Sequence, residues 1–363
     1  MLIGQLHYET TPKYNFPQLI REDEFKKIVE ISLESMHTIK GGIFQSDSLE
    51  FPELLAETEQ LENLAPPYMK NRSISTLLTP LKPIRDGTPI VGIDVSSIKI
   101  GATEAGAVYA VRGAIVLNMN GRYRFLRFGP LPFHVTKKSI REILKDLGEG
   151  LPFDFNFSPQ IEPQSQLCNL IERWLQAYVS HLVRENIILW DGSLTSGISG
   201  SPTSELSRIL KAARENSNIV MAFSKDTTVR FLEWRITDLL AEHKPPCLFE
   251  VDSLPLSSPS FMRFLGRIYV AKLAEGGCVF RLDIDKAIPR ENCITAVERL
   301  LGNELVYQGY PETLRLAHIY STFTASDVIG IQRFLTKNYG IKFIVQRNMH
   351  RTLFGPYGTR LGG

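Results

Sequence analysis

Two aspartates sit where an apolar strand does not place a carboxylate without cause. In Val91-Gly-Ile-Asp-Val-Ser-Ser97 the period of two puts Val91, Ile93 and Val95 on one strand face and Gly92, Asp94 and Ser96 on the other. A carboxylate in so apolar a strand is expensive unless something offsets its charge, which a metal ion or a bound phosphate–metal group would do. The plainer alternative is an aspartate that caps the turn after the strand. In Ile187-Ile-Leu-Trp-Asp-Gly-Ser-Leu194, four apolar residues run directly into Asp191 and Gly192. That order sets the carboxylate at the carboxyl edge of a buried strand, where open α/β sheets bind ligands. Two strand-borne aspartates in one sheet can share divalent cations, as two-metal phosphodiester chemistry requires.

Weaker signals surround this pair. On the helix expected over about 163–185, Leu167, Leu170, Ile171, Trp174, Tyr178 and Leu182 form an apolar stripe, and Glu172 stands at its margin, aimed toward a sheet or left in solvent. In Gly309-Tyr-Pro-Glu-Thr-Leu-Arg-Leu-Ala-His318, Pro311 suits the first turn of a helix, Glu312 suits its positive end, and His318 follows about two turns in. Lys225, in Phe223-Ser-Lys-Asp226 just past a strand, is within reach of a phosphate. There is no G-x-x-x-x-G-K-[ST] loop and no G-x-G-x-x-G, which disfavours P-loop and Rossmann nucleotide binding. Ser193 lacks the G-x-S-x-G elbow of a hydrolase nucleophile.

The elements that must carry these residues are legible. After a helical pattern over Asp23–His37 and another over Leu49–Leu64, Leu78-Thr-Pro-Leu-Lys-Pro83 breaks helix and reads as a linker, so residues 1–85 form an N-terminal helical region and 86–363 a second domain. Strands are expected at Pro89–Val95, Ala107–Asn118 and Gly121–Phe128, with Asn120-Gly121 as the hairpin turn. The helix over 163–185, strand 187–190, helix 203–215 and strand 219–223 follow, and this order predicts a mixed sheet with helices packed on it.

A chain of 363 residues with 43% hydrophobic and 22% charged residues is globular and needs no disulfide framework. Cys168, Cys247, Cys278 and Cys293 form no CxxC pair and read as reduced, buried thiols; with no apolar leader at the start and no long apolar run, the protein reads as cytoplasmic, without a membrane span. The net charge of +2 conceals segregation. Gly41–Met69 carries six acids and no base, Ala105–Arg141 seven bases and no acid, and no acid follows Asp327. Such asymmetry signals a partner where the total does not.

Taken in order, Gly92-Ile-Asp-Val-Ser96, Leu189-Trp-Asp-Gly-Ser-Leu194, Phe223-Ser-Lys-Asp226, Phe280-Arg-Leu-Asp283 and the Tyr310–His318 motif resemble the NurA nuclease family across residues 90–325. The first motif departs from it, reading Asp-Val-Ser where Asp-Gly-Ser is usual. The resemblance implies an α/β, RNase H-like mixed sheet flanked by helices, with an N-terminal helical extension. It implies a Mn²⁺- or Mg²⁺-dependent nuclease that processes DNA ends, a homodimer enclosing a channel, and a HerA-type hexameric ATPase as partner in double-strand break repair. Asp94 and Asp191 match the family's strand acids, Tyr310 and His318 its C-terminal pair, and Glu172 its helical acid; the long stretch after Asp94 leaves Glu104 and Glu185 as alternatives for that third acid.

On this reading Asp94, Glu172, Asp191 and His318 hold one or two ions, while Tyr310 and Lys225 position the scissile phosphate. The basic segments 105–141, with Arg112 and Arg124, and 328–363, interleaved with Phe334, Tyr339, Phe343, Phe354 and Tyr357, would track a strand by charge and stacking. Two other classes fit parts of the pattern. One is an actin-like or sugar-kinase-type ATPase, whose first phosphate loop Gly92–Gly101 resembles; the other is a non-catalytic adaptor of a DNA translocase.

Overall fold

The structure is a computed structural model and describes residues 22–46, 78–148, 161–196, 203–225, 227, 230–231, 234–240, 243–251 and 263–345. Its helices are α1 (Glu22–His37), α2 (Ser139–Gly148), α3 (Pro163–Leu182), α4 (Thr203–Glu215), α5 (Arg290–Asn303), α6 (Glu312–Ser321) and α7 (Ala325–Tyr339). The strands of the main sheet are β1 (Ile43–Ser46), β2 (Leu78–Pro80), β3 (Ile90–Ala102), β4 (Gly106–Met119), β5 (Arg122–Thr136), β6 (Ile187–Asp191), β7 (Ile219–Ser224), β8 (Cys247–Glu250), β9 (Gly266–Lys272), β10 (Val279–Asp285) and β11 (Lys342–Val345).

β3, β4 and β5 form an antiparallel meander. Its second turn is Asn120-Gly121, with φ of 55° and 76°, the double left-handed conformation that a two-residue hairpin needs and that Asn-Gly tolerates. β6 pairs parallel to β3, and β7 parallel to β6, the crossovers running through α3 and α4. The resulting order β5-β4-β3-β6-β7, three antiparallel strands followed by two parallel ones, is the RNase H-like arrangement. β10, β9, β8 and β2 extend it antiparallel beyond β7, and β1, antiparallel to the far end of β3 at Ala102, brings in β11 to make eleven strands.

The two faces of β3 divide as the alternation requires. Val91, Ile93 and Val95 pack into a core with Leu167, Leu170, Ile171 and Leu175 of α3 and with Phe25 and Ile28 of α1. The opposite face lies under α6. A Cβ at Gly92 would stand 2.8 Å from the Thr313 carbonyl oxygen, so only glycine lets the helix come this close. Leu314 of α6 joins Ile90, Leu189 and the α5 residues Val297 and Leu300 in a second core.

Several expectations are corrected. The stretch read as a linker contains β2, an edge strand paired with β8, because its backbone groups find a free sheet edge. The described parts of 1–85 are built into the main body: β1 pairs with β3 and β11, and α1 packs on β5. The pattern over Leu49–Leu64 lies outside the described residues. Phe334 and Tyr339, expected to stack on a strand, are core residues of α7; Phe343 packs on Phe44, and Phe354 and Tyr357 lie outside the described residues. All four cysteines are free, but only Cys247 and Cys293 are buried; Cys168 is partly buried and Cys278 exposed. Among the described residues no helix is long and apolar enough to cross a membrane.

Candidate active site

The parallel register Ile93↔Trp190 sets Asp94 and Asp191 one step beyond, side by side on neighbouring strands. Strands in a sheet lie about 4.8 Å apart, so the spacing of the two carboxylates is fixed by backbone hydrogen bonding rather than by flexible side chains. α6 crosses above and brings His318, whose Nδ1 lies 3.3 Å from Asp94 Oδ2. One ligand atom from each of Asp94, Asp191 and His318 falls within 4.8 Å of the others. The Asp94 and Asp191 side chains are 11% and 25% exposed, and His318 is half-exposed at the mouth.

Two carboxylates and an imidazole form a donor set suited to a hard or borderline divalent cation. A second feature fits such a group. The Tyr310 hydroxyl is buried and has no hydrogen-bond partner, a rare condition for a buried donor. Burial and, after it, the charges of Asp191 and Asp94 push the phenol's pKa up, so the O–H stays protonated, a donor within electrostatic reach of both acids. Lys225 Nζ lies 2.7 Å from Asp191 Oδ2 and 5.4 Å from the centre of the Tyr310 ring.

Glu172 stands deeper, on α3, and outside the compact trio. Its Oε1 accepts a 2.8 Å hydrogen bond from Gln176 Nε2, and Gln176 Oε1 in turn accepts from Arg173. Burial raises its carboxyl to about 7; the Arg173 charge opposes this, while the charges of Asp94 and Asp191 reinforce it, which places Glu172 within their electrostatic reach. Its two alternatives are elsewhere. Glu104 is exposed beyond the end of β3, and Glu185 is exposed before β6, at the opposite end of that strand from Asp191.

Arg112, expected on substrate, is occupied. Its side chain is 2% exposed and makes two hydrogen bonds to Asp327, of 2.7 and 3.1 Å, and one to the Thr322 carbonyl, while its guanidinium lies over Phe323. Burial would raise the Asp327 carboxyl, but hydrogen bonds from Arg112 and Thr324 and the Arg112 charge hold it down at about 2. Arg112 thus clamps the corner between α6 and α7 onto β4. The signal was mixed into the basic run 105–141: Arg112 pairs with Ser96, two residues past Asp94 on β3, and so shares the sheet face that lies under α6. Arg124 is exposed on β5, three residues, or about 10 Å, from Arg127, the position in line with Asp94 through Ala114.

Two groups were given no role by the sequence reading, Ser321 unremarked and Asp283 quoted only within the Phe280–Asp283 motif. Ser321, buried at the end of α6, donates a hydrogen bond to Asp94 Oδ2. Asp283 takes Arg281 bidentately, at 2.7 and 2.6 Å, and also accepts the Leu194 N–H, while Arg281 reaches Thr195. This buried pair fixes the chain just after Asp191. Asp283 carried the same mark that singled out Asp94, an acid inside an apolar strand, whereas a helix-end serine carries none.

Two carboxylates on adjacent parallel strands and an imidazole from the helix above them give this RNase H-like α/β fold a candidate divalent-metal site. The chain belongs to the NurA domain family, whose profile matches residues 88–321, and so to a family of nucleases. The crystal structure of the NurA nuclease from Sulfolobus solfataricus is 17% identical with a TM-score of 0.50, the alignment covering 88% of this chain and 97% of that one. Another NurA crystal structure is 11% identical with a TM-score of 0.43, covering 78% and 93%. The Bacillus subtilis endonuclease V is 9% identical with a TM-score of 0.34, covering 73% and 90%. At 17% identity the likeness to the first of these is one of fold. No curated protein matches the chain.

Proposed function

We propose that the protein is a divalent-metal-dependent deoxyribonuclease that trims DNA ends during double-strand break repair. The observation that carries this reading is the convergence of Asp94, Asp191 and His318 donor atoms within 4.8 Å, on two adjacent parallel strands and the helix above them. Those three would hold the cation, Mn²⁺ or Mg²⁺, with Glu172 as the third acid beside them. A bound divalent ion supplies Lewis acidity toward the phosphate and lowers the pKa of water.

The chain's own residues do the rest. Lys225, 45% exposed at the rim, offers its ammonium to a phosphate oxygen. The unpartnered Tyr310 hydroxyl is a ready donor to a second oxygen of the same group. Glu172, steadied by the hydrogen bond from Gln176, would supply the third carboxylate of the set. Exposed Arg122, Arg124, Lys137 and Lys138 on and after β5 supply the sequence-independent attraction to the backbone. The family resemblance supports a homodimer working in the cytoplasm with a HerA-type hexameric ATPase.

The test is cleavage of end-labelled single- and double-stranded DNA with Mn²⁺, Mg²⁺ or EDTA, with Asp94→Ala and Asp191→Asn beside the wild type. Metal-dependent cleavage that both variants abolish is expected. Full activity of Asp191→Asn, or no cleavage under any condition even with the translocase added, would refute the reading.

A further inference from the structure

We propose that Ser321 is a positioning residue that aims the Asp94 carboxylate, an inference that rests on the metal-site reading above. Asp94 Oδ2 is approached by two groups from α6, Ser321 Oγ as donor and His318 Nδ1 at 3.3 Å. His318 and Ser321 are three residues apart and so lie on one helix face, one turn from each other. A hydroxyl has a single proton to give. Ser321 Oγ lies 3.0 Å from the His318 carbonyl and 3.0 Å from Ser96 Oγ as well as touching Asp94.

The carboxylate is the strongest acceptor of the three, so the Ser321 proton goes to Asp94. Ser96 then donates to Ser321, and the chain Ser96→Ser321→Asp94 is complete. Ser96 follows Asp94 by two on β3 and therefore shares its face. Ser321 is fully buried while Ser96 is partly exposed, so the chain enters from the rim and ends on the acid.

A helix-end serine that only satisfied its own carbonyl would have no reason to touch a β3 acid 227 residues earlier. With Oδ2 held by the Ser321 hydroxyl, rotation of the Asp94 carboxylate is restricted. Hydrogen-bonding partners of this kind fix the aim of ligating carboxylates, and their loss typically lowers metal affinity about 10- to 100-fold.

The experiment measures Mn²⁺ binding to the full-length protein without DNA, by the loss of the free-ion electron paramagnetic resonance signal, alongside thermal unfolding. Ser321→Ala is expected to weaken binding at least ~10-fold, while Ser321→Thr, which keeps the hydroxyl, stays near wild type. DNA affinity in EDTA is expected to be unchanged and kcat to fall, whereas a merely structural serine would lower thermal stability and leave Mn²⁺ affinity alone. Ser96→Ala, at a partly exposed position that folding tolerates, is expected to cost about fivefold, the equivalent of one neutral hydrogen bond. If Ser321→Ala folds poorly, a Ser96→Ala protein with wild-type Mn²⁺ affinity overturns the proposal. Wild-type affinity in Ser321→Ala, with binding lost in Asp94→Ala, overturns the positioning role and leaves the metal site standing. Wild-type affinity in Asp94→Ala removes the metal site, and the positioning role falls with it.

Discussion

Glu205, in the first turn of α4, is 0% exposed, and neither carboxylate oxygen has a hydrogen-bond partner. Burial raises its pKa to about 7, and the charge of Arg173 on α3 only partly opposes this. An unfolded glutamate titrates near 4.3–4.5, so between that value and about 7 the folded chain keeps a proton the unfolded chain has released. Stability contributed by the protonated form is complete below about 4 and is lost as pH rises through 7. A difference of ~2.5 units at 1.36 kcal/mol each amounts to about 3 kcal/mol at pH 8 and under ~1 kcal/mol at pH 5. Glu205→Gln keeps the shape and cannot ionise, so the variant should be more stable than wild type by that margin at pH 8 and nearly equal at pH 5. Urea unfolding at pH 5, 6, 7 and 8 reads this as a midpoint gap that widens with pH at constant slope. A gap independent of pH, or a variant less stable at pH 8, would show that Glu205 finds a counter-charge in solution and that the argument is wrong.

Three further outcomes follow from the packing. Arg112→Met strands the Asp327 carboxylate and should destabilise by about 3 kcal/mol, the lower end for a broken buried pair because Asp327 is 26% exposed. In urea unfolding this deficit should shrink as pH falls from 4 toward 2, where Asp327 takes up its proton in the wild type. Gly92→Ala drives a methyl to 2.8 Å from the Thr313 carbonyl. It should cost about 1–3 kcal/mol and move α6 off β3, so calorimetry would record a folded protein while Mn²⁺ affinity and cleavage both fall. Tyr310→Phe deletes a buried hydroxyl that bonds to nothing, so thermal stability should hold or rise while single-turnover cleavage drops at unchanged Mn²⁺ affinity.

How much of this was readable depends on the range of the signal. The faces of β3, the Asn120-Gly121 turn and helices α3 and α4 follow from local periodicity and turn chemistry, and the structure keeps them. Asp94, Asp191 and His318 were legible because each breaks a local pattern or completes a motif, and they converge. Arg112 was misread because charge on a strand does not reveal which sheet face a helix far along the chain will cover. Leu78–Pro80 looked like a linker because edge pairing is a tertiary event that proline does not forbid. Phe334 and Tyr339 looked like stacking platforms because an aromatic on a basic helix carries no mark of which face it occupies. Ser321 was invisible for a different reason: its partner lies across the whole fold.

That separation has a consequence for synthesis. The strand acids leave the ribosome long before α6, which follows β10 and α5 and alone brings the imidazole and the serine. A growing chain, or one cut short by a premature stop before residue 312, holds its aspartates with no helix laid over them. The three donor atoms of Asp94, Asp191 and His318 therefore come together only once residues 312–321 have been added.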